Sequence, residues 1–181
     1  MTIRDAVAEG VRRLGEIADT PFLDAVLLLE EATGLTKERV FVSYPDELTG
    51  MAQDLYQGFI EQRVSGTPIS YITRVKEFYS LSYMVDPRVL APRPDTEILV
   101  DAALSLCESL PGNPSVHDCC TGSGCVAITL KHELPRLEVS ASDLSNDALD
   151  VFAANSGDIL GATLPFVQSD LLDAVEGTYD L

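Results

Sequence analysis

The chain has 181 residues, 46% of them hydrophobic, with 29 acidic against 12 basic side chains and a formal net charge of −17. That length and apolar content suffice for one or two packed domains and speak against a disordered chain. The acidity leaves no basic face for direct, tight binding to a phosphate backbone, and no apolar run approaches the ~20 residues that span a bilayer.

The opening Met1-Thr2-Ile3-Arg4-Asp5 has neither the apolar core nor the cleavage site of a signal peptide, so the expected location is cytoplasmic. Ile3, Val7, Val11, Leu14 and Ile17 recur at spacings of three and four, which predicts one apolar helix face. Pro21 opens a second segment, Phe22 to Ala32, apolar on more than one side and ended by Thr33-Gly34. It reads as the buried helix of a small bundle. A short piece near Thr36–Val42 follows, then a helix from about Glu47 to Val64 with Met51, Leu55, Phe59 and Ile60 on one face.

Ser65-Gly66-Thr67-Pro68 breaks that helix. From Ile69 to Val89 the residues are β-branched and aromatic, which predicts short strands and a hairpin turning near Tyr79–Ser82. The prolines at 92 and 94 then force extended backbone. Helix resumes at about Asp95, where acidic residues suit the helix dipole, and runs to Leu110.

After Pro114 the chain alternates: strand Ser115–Cys119, helix Gly124–Glu133, strand Leu137–Ser142, helix Asn146–Asn155, strand Leu164–Gln168, and the start of a fourth strand at Tyr179–Leu181. Alternation at this spacing predicts a parallel sheet with crossover helices. The expected fold class is therefore α/β: a helical N-terminal bundle over 1–67, a β-hairpin linker over 68–93, and a Rossmann-like sheet over 94–181. The acidity is uneven. Residues 1–93 hold 10 basic and 14 acidic side chains, residues 94–181 only 2 and 15.

Asp118-Cys119-Cys120-Thr121-Gly122-Ser123-Gly124-Cys125 joins the first of these strands to its helix. Glycines two apart let the backbone pass close under a ligand, with a helix N-terminus behind. It is not the G-x-G-x-x-G of dinucleotide folds, because no third glycine follows. Asp143 ends the second strand, nineteen residues beyond Gly124, where a carboxylate can accept both hydroxyls of a ribose. Asp170 follows the third strand. Each has a plainer role: an ordinary tight turn, a helix cap at Asp143, a solvated loop at Asp170. In this order and at this spacing they favour a nucleoside cofactor.

The four cysteines, Cys107, Cys119, Cys120 and Cys125, fall within nineteen positions and match neither a disulfide framework nor a zinc site, so reduced thiols and no metal are expected. Adjacent cysteines are sterically poor disulfide partners, which speaks against a redox pair at Cys119–Cys120. His117 and His132, the only histidines, read as structural or exposed.

With this loop in view the sequence resembles the S-adenosyl-L-methionine-dependent methyltransferases, and more narrowly the release-factor glutamine N5-methyltransferase family. Gly66-Thr67-Pro68-Ile69-Ser70-Tyr71-Ile72-Thr73, Glu77-Phe78-Tyr79-Ser80-Leu81 and Leu90-Ala91-Pro92-Arg93-Pro94-Asp95-Thr96-Glu97 carry the likeness, the last most specifically. The resemblance implies methyl transfer to the glutamine amide of a Gly-Gly-Gln loop in peptide chain release factors, with the helical domain recognising that substrate. By position it implies that Cys120, Thr121, Gly122, Ser123 and Gly124 line the methionine part of the cofactor. Asp143 would bind the ribose, and Asp170 and Leu171 would flank the adenine. Arg93, Pro94, Asp95, Thr96 and Glu97 would lie close to the active site, or would simply start a helix.

Two departures from the family pattern stand out. Cys120 occupies a position where the family usually has glycine. The family's Asn-Pro-Pro-Tyr loop, which aligns the substrate amide, is absent from these residues. An amide nitrogen is a poor nucleophile because its lone pair is delocalised, and its alignment is the main catalytic contribution expected there. The 181 residues alone are therefore expected to have little or no activity and to hold no catalytic residue. Three competing functions are a nucleic-acid amino-methyltransferase, disfavoured by the lack of a basic cluster; a non-catalytic partner-binding module; and an oxidoreductase, disfavoured by the missing glycine.

Overall fold

The computed structural model describes residues 1–181, which divide into two compact units, Met1–Thr73 and Arg74–Leu181. No helix is long and apolar enough to cross a membrane.

The first unit is helical. Helix α1 (Ile3–Leu14) opens with a reciprocal cap: the Asp5 amide donates to the Thr2 hydroxyl oxygen, and the Thr2 amide donates to Asp5 Oδ2, each at 3.2 Å. Two donors that a helix start leaves free are thereby satisfied. The three-and-four spacing buries Ile3, Val7 and Leu14, while Ile17 falls past the helix end and stays exposed. Helix α2 (Pro21–Thr33) is the central one, with Ala25, Val26, Leu28 and Leu29 fully buried. Gly34, left-handed at φ 68°, ends it by donating its amide to the Glu30 carbonyl. Asp24 is also buried, and Arg63 Nε donates to its Oδ2 at 2.8 Å. Pairing is what makes a buried carboxylate tolerable.

Helix α3 (Lys37–Val42) is short, and α4 (Gly50–Val64) packs differently from its sequence pattern. Tyr56 and Ile60 are its buried residues, whereas Met51 is 77% and Leu55 46% exposed. The cause is Tyr56, whose hydroxyl donates to the Ala6 carbonyl at 3.1 Å and lies over Gly10, where a Cβ would sit 2.1 Å from the phenol oxygen. Inserting the aromatic beside a glycine turns the Met51–Leu55 stripe outward. The expected strand character of Ile69–Ile72 is also overturned. These residues form α5 (Ile69–Thr73), started by the Tyr71 amide donating to the Pro68 carbonyl at 3.0 Å. Proline pre-sets the first helical turn, and burial of Ile72 outweighs β propensity. The helical unit therefore runs to Thr73 rather than Thr67, and the hairpin belongs to the second unit.

That unit opens with an antiparallel hairpin, β1 (Val75–Phe78) and β2 (Leu81–Met84), with Phe78 opposite Leu81. Helix α6 (Thr96–Ser109) follows. Then come β3 (Ser115–Cys119), α7 (Cys125–Glu133), β4 (Glu138–Asp143), α8 (Asn146–Leu160) and β5 (Phe166–Gln168). The three strands are parallel in the order β3-β4-β5, as the alternation predicts. Residues 179–181 form no named strand. Leu181 nevertheless donates to the Ser115 carbonyl and accepts from the His117 amide, the parallel pairing pattern on the free edge of β3.

Val116, Val139 and Ala141 are buried on one face of the sheet, and alternate positions carry His117, Ser140 and Ser142 on the other. There His117 spans the two strands, Nδ1 to Ser140 Oγ and Nε2 to Ser142 Oγ, both at 2.9 Å. Burial lowers its pKa from the usual histidine value. With both ring nitrogens engaged by serines, His117 acts as a cross-strand clasp.

Candidate functional site

Because β3, β4 and β5 are parallel neighbours, their C-terminal ends share one edge of the sheet, where open α/β folds bind ligands. Residues 118–124, 143–145 and 168–171 all lie along it.

The loop after β3 alternates conformation. Cys120, Gly122 and Gly124 are left-handed, at φ 63°, 55° and 83°. Such alternation turns backbone amides toward one concave side. Asp118 fixes the loop from within: its Oδ2 accepts the Thr121 hydroxyl at 2.6 Å and the Ala127 amide at 3.2 Å, tying the loop to the first turn of α7. Burial pushes the Asp118 carboxyl above the ordinary carboxylate range, and burial likewise raises the Cys125 thiol to about 11. The two glycines differ in kind. A Cβ on Gly122 would meet nothing within 4 Å, whereas one on Gly124 would lie 2.6 Å from both Ile128 and Phe152. Gly122 therefore leaves room for a ligand, and Gly124 lets α7 and α8 close on the loop.

Asp143 draws the loop and the second strand together. Its Oδ2 accepts the Gly122 amide at 2.9 Å and its Oδ1 the Ser145 amide at 3.0 Å. Each oxygen has a second lone pair free for a hydroxyl donor. The cap of α8 is Ser145, whose hydroxyl accepts the Ala148 amide at 3.2 Å, so Asp143 is not consumed as the cap. On the third strand, the Ser169 amide donates to the Asp143 carbonyl at 3.0 Å, and Gln168 Nε2 donates to the Leu144 carbonyl at 2.9 Å. Asp170 and Leu171 follow as exposed residues, Leu171 left-handed at φ 50°. Leu144 and Leu171, 62% and 63% exposed, offer apolar surface along this edge.

Cys120 is the strained position within the glycine loop. It is exposed, carries a Cβ in a left-handed conformation, and its sulfur lies 3.9 Å from that of Cys119. All four cysteines are free thiols. A left-handed non-glycine residue costs ~1–2 kcal/mol, partly offset by the greater chain entropy of glycine. Replacing Cys120 with glycine is expected to raise stability by ~0.5–1 kcal/mol, read as a higher urea midpoint. A lower midpoint would contradict this.

Arg93–Glu97 form a tight turn into α6, with the Thr96 amide donating to the Arg93 carbonyl and the Glu97 amide to the Pro94 carbonyl. Asp95 precedes the helix without a side-chain cap bond. The Glu97 carboxylate reaches the hairpin. Its Oε1 accepts the Tyr79 amide at 2.9 Å, while the Tyr79 hydroxyl donates to Asp101 at 2.8 Å. Tyr79 and Ser80 form the two-residue turn, both left-handed at φ 53° and 60°. That is type I′ geometry, which normally takes Asn-Gly. Glu97 thus holds a strained turn in place. Glu97→Ala is expected to cost ~1–2 kcal/mol, and Tyr79→Asn with Ser80→Gly in the same chain is expected to restore most of it. Thermal unfolding measures both; no loss in the alanine variant would contradict the clamp.

Asn155 escaped the sequence reading. Its signal was one amide within the buried stripe Ala148, Leu149, Val151 and Phe152 of α8, at helical spacing from the last two.

Residues 5–73 match the PrmC N-terminal domain family. A release factor glutamine methyltransferase of Moorella thermoacetica is 40% identical over 98% of this chain and 63% of its own length. One of Koribacter versatilis is 42% identical over 97% of this chain and 62% of its own. A ribosomal protein L11 methylase structure from Lactobacillus delbrueckii subsp. bulgaricus aligns with a TM-score of 0.44 at 26% identity, over 53% of this chain and 48% of its own. The chain spans about three fifths of the length of these curated relatives. The first unit thus matches that N-terminal domain, and nearly the whole chain is similar to a part of these release factor glutamine methyltransferases.

Proposed function

We propose that this chain binds S-adenosyl-L-methionine along the β3-β4-β5 edge and forms the cofactor and recognition parts of a protein-(glutamine-N5) methyltransferase acting on peptide chain release factors. The observation that carries this is the bond between Asp143 and the Gly122 amide, which sets a carboxylate beside a left-handed loop with open space above its glycine. Such an edge fits a nucleoside joined to a small charged chain. When bound, S-adenosyl-L-methionine supplies an electrophilic methyl group on a sulfonium. Cys120 to Gly124 hold the methionine portion, Asp143 accepts the ribose hydroxyls, and Asp170 and Leu171 border the adenine. Arg93 to Glu97 lie in the active-site vicinity, Glu97 acting through the hairpin turn. None of the 181 residues is assigned the transfer step itself.

The helical unit supplies the recognition surface for the release factor, in the cytoplasm. The acidic balance of the part that carries the parallel sheet, 2 basic against 15 acidic residues over 94–181, disfavours a nucleic-acid substrate. Incubating the protein at its natural length with radiolabelled cofactor, a release factor and tRNA tests the substrate class. Label on the Gly-Gly-Gln glutamine is the expected result; label on the nucleic acid would overturn it.

A further inference from the structure

We propose that Asn155 is a positioning residue for the glycine loop, which its carboxamide ties to the hairpin; its bearing on the cofactor rests on the function proposed above. Asn155 lies on α8 and is 1% exposed. Its Oδ1 accepts the Met84 amide at 2.8 Å, and its Nδ2 donates to the Met84 carbonyl at 3.0 Å and to the Ser123 carbonyl at 2.8 Å. One side chain thus brackets the last residue of β2 and grips the residue between the two loop glycines. Both amide protons are used, and the partners dictate which end of the carboxamide faces which.

Ser123 is buried, and its carbonyl is one residue from the Gly122 amide that Asp143 accepts. A shift at Ser123 therefore moves the donor that links the first two strand ends. The neighbouring residue of β2 is tied to α7, the helix that follows the loop. The Tyr83 hydroxyl lies 2.8 Å from Thr129 Oγ1 and 3.4 Å from the Cys125 carbonyl, both on α7. With Glu97 holding the hairpin turn, a continuous set of bonds runs from α6 through β2 to the loop. No apolar residue could replace Asn155 without orphaning the half-buried Met84 amide and carbonyl and the buried Ser123 carbonyl.

The test compares Asn155→Ala with Leu149→Ala, a core truncation on the same helix that touches none of these groups and is expected to shift the urea midpoint comparably. Two quantities are read at a temperature where circular dichroism shows each variant folded. One is affinity for S-adenosylhomocysteine by calorimetry; the other is hydrogen exchange of the Gly122 to Gly124 amides without ligand. Asn155→Ala is expected to weaken binding at least tenfold and speed loop exchange selectively, while Leu149→Ala does neither. Binding within twofold of the unaltered protein, or an equal loss in Leu149→Ala, would overturn the proposal. If the unaltered protein binds no ligand, the cofactor assignment fails, and selective loop exchange alone decides the role of Asn155. Should the alanine variant not fold, Asn155→Ser is read against the same two outcomes.

Discussion

Gly124→Ala is expected to be among the most damaging single-atom changes in the second unit, while the same change at Gly122 should cost only the ~1–3 kcal/mol of a left-handed side chain. The added Cβ at 124 would lie 2.6 Å from Ile128 Cδ1 and from Phe152 Cδ2. Neither neighbour can yield easily. Ile128 and Phe152 are fully buried, and the Phe152 ring packs edge-on against Phe166 with centroids 5.6 Å apart. Overpacking of this kind costs ~1–3 kcal/mol, and the left-handed conformation at φ 83° adds ~1–3 kcal/mol. A total of ~2–6 kcal/mol compares with the ~5–15 kcal/mol that holds a domain together. At Gly122 only the conformational cost applies, because the Cβ meets nothing. It would instead occupy the space assigned to the cofactor. Urea unfolding and ligand titration of both variants should therefore split: lost stability at 124, lost affinity at 122. Equal stability losses would contradict the distinction.

Replacing Asp143 with alanine is expected to weaken cofactor binding at least 100-fold, ~2.8 kcal/mol. The substitution removes the proposed ribose acceptor and also frees the Gly122 and Ser145 amides that position the loop and the start of α8. Bonds to a charged acceptor are worth ~1.5–3 kcal/mol each. Asp143→Asn should fall between, because one amide end would present N–H groups to a backbone donor. Calorimetric dissociation constants measure the series. An alanine variant that binds as well as the unaltered chain would remove Asp143 from the site.

Periodicity located most elements because burial and spacing agree in them. Ala25, Val26, Leu28 and Leu29 are buried in the central helix that their pattern predicts, and the alternation after Pro114 matches a parallel sheet with the glycine loop at its edge. The failures have local causes. Ile69–Thr73 has strand composition but follows a proline and is absorbed into the helical unit. Met51 and Leu55 match the helical period, yet the Tyr56–Gly10 contact decides which way α4 faces. Tyr79-Ser80 carries none of the usual residues of a type I′ turn, so its conformation and the role of Glu97 are visible only in three dimensions. Asn155 joins residues 32 and 71 positions away, a relation no local pattern contains.

The central claim is that this sheet edge binds S-adenosyl-L-methionine, and calorimetric titration of the 181-residue chain with that cofactor tests it most directly. The expected result is one saturable site, displaced by S-adenosylhomocysteine and abolished by Asp143→Ala. Absence of binding, or binding that Asp143→Ala leaves unchanged, would contradict it.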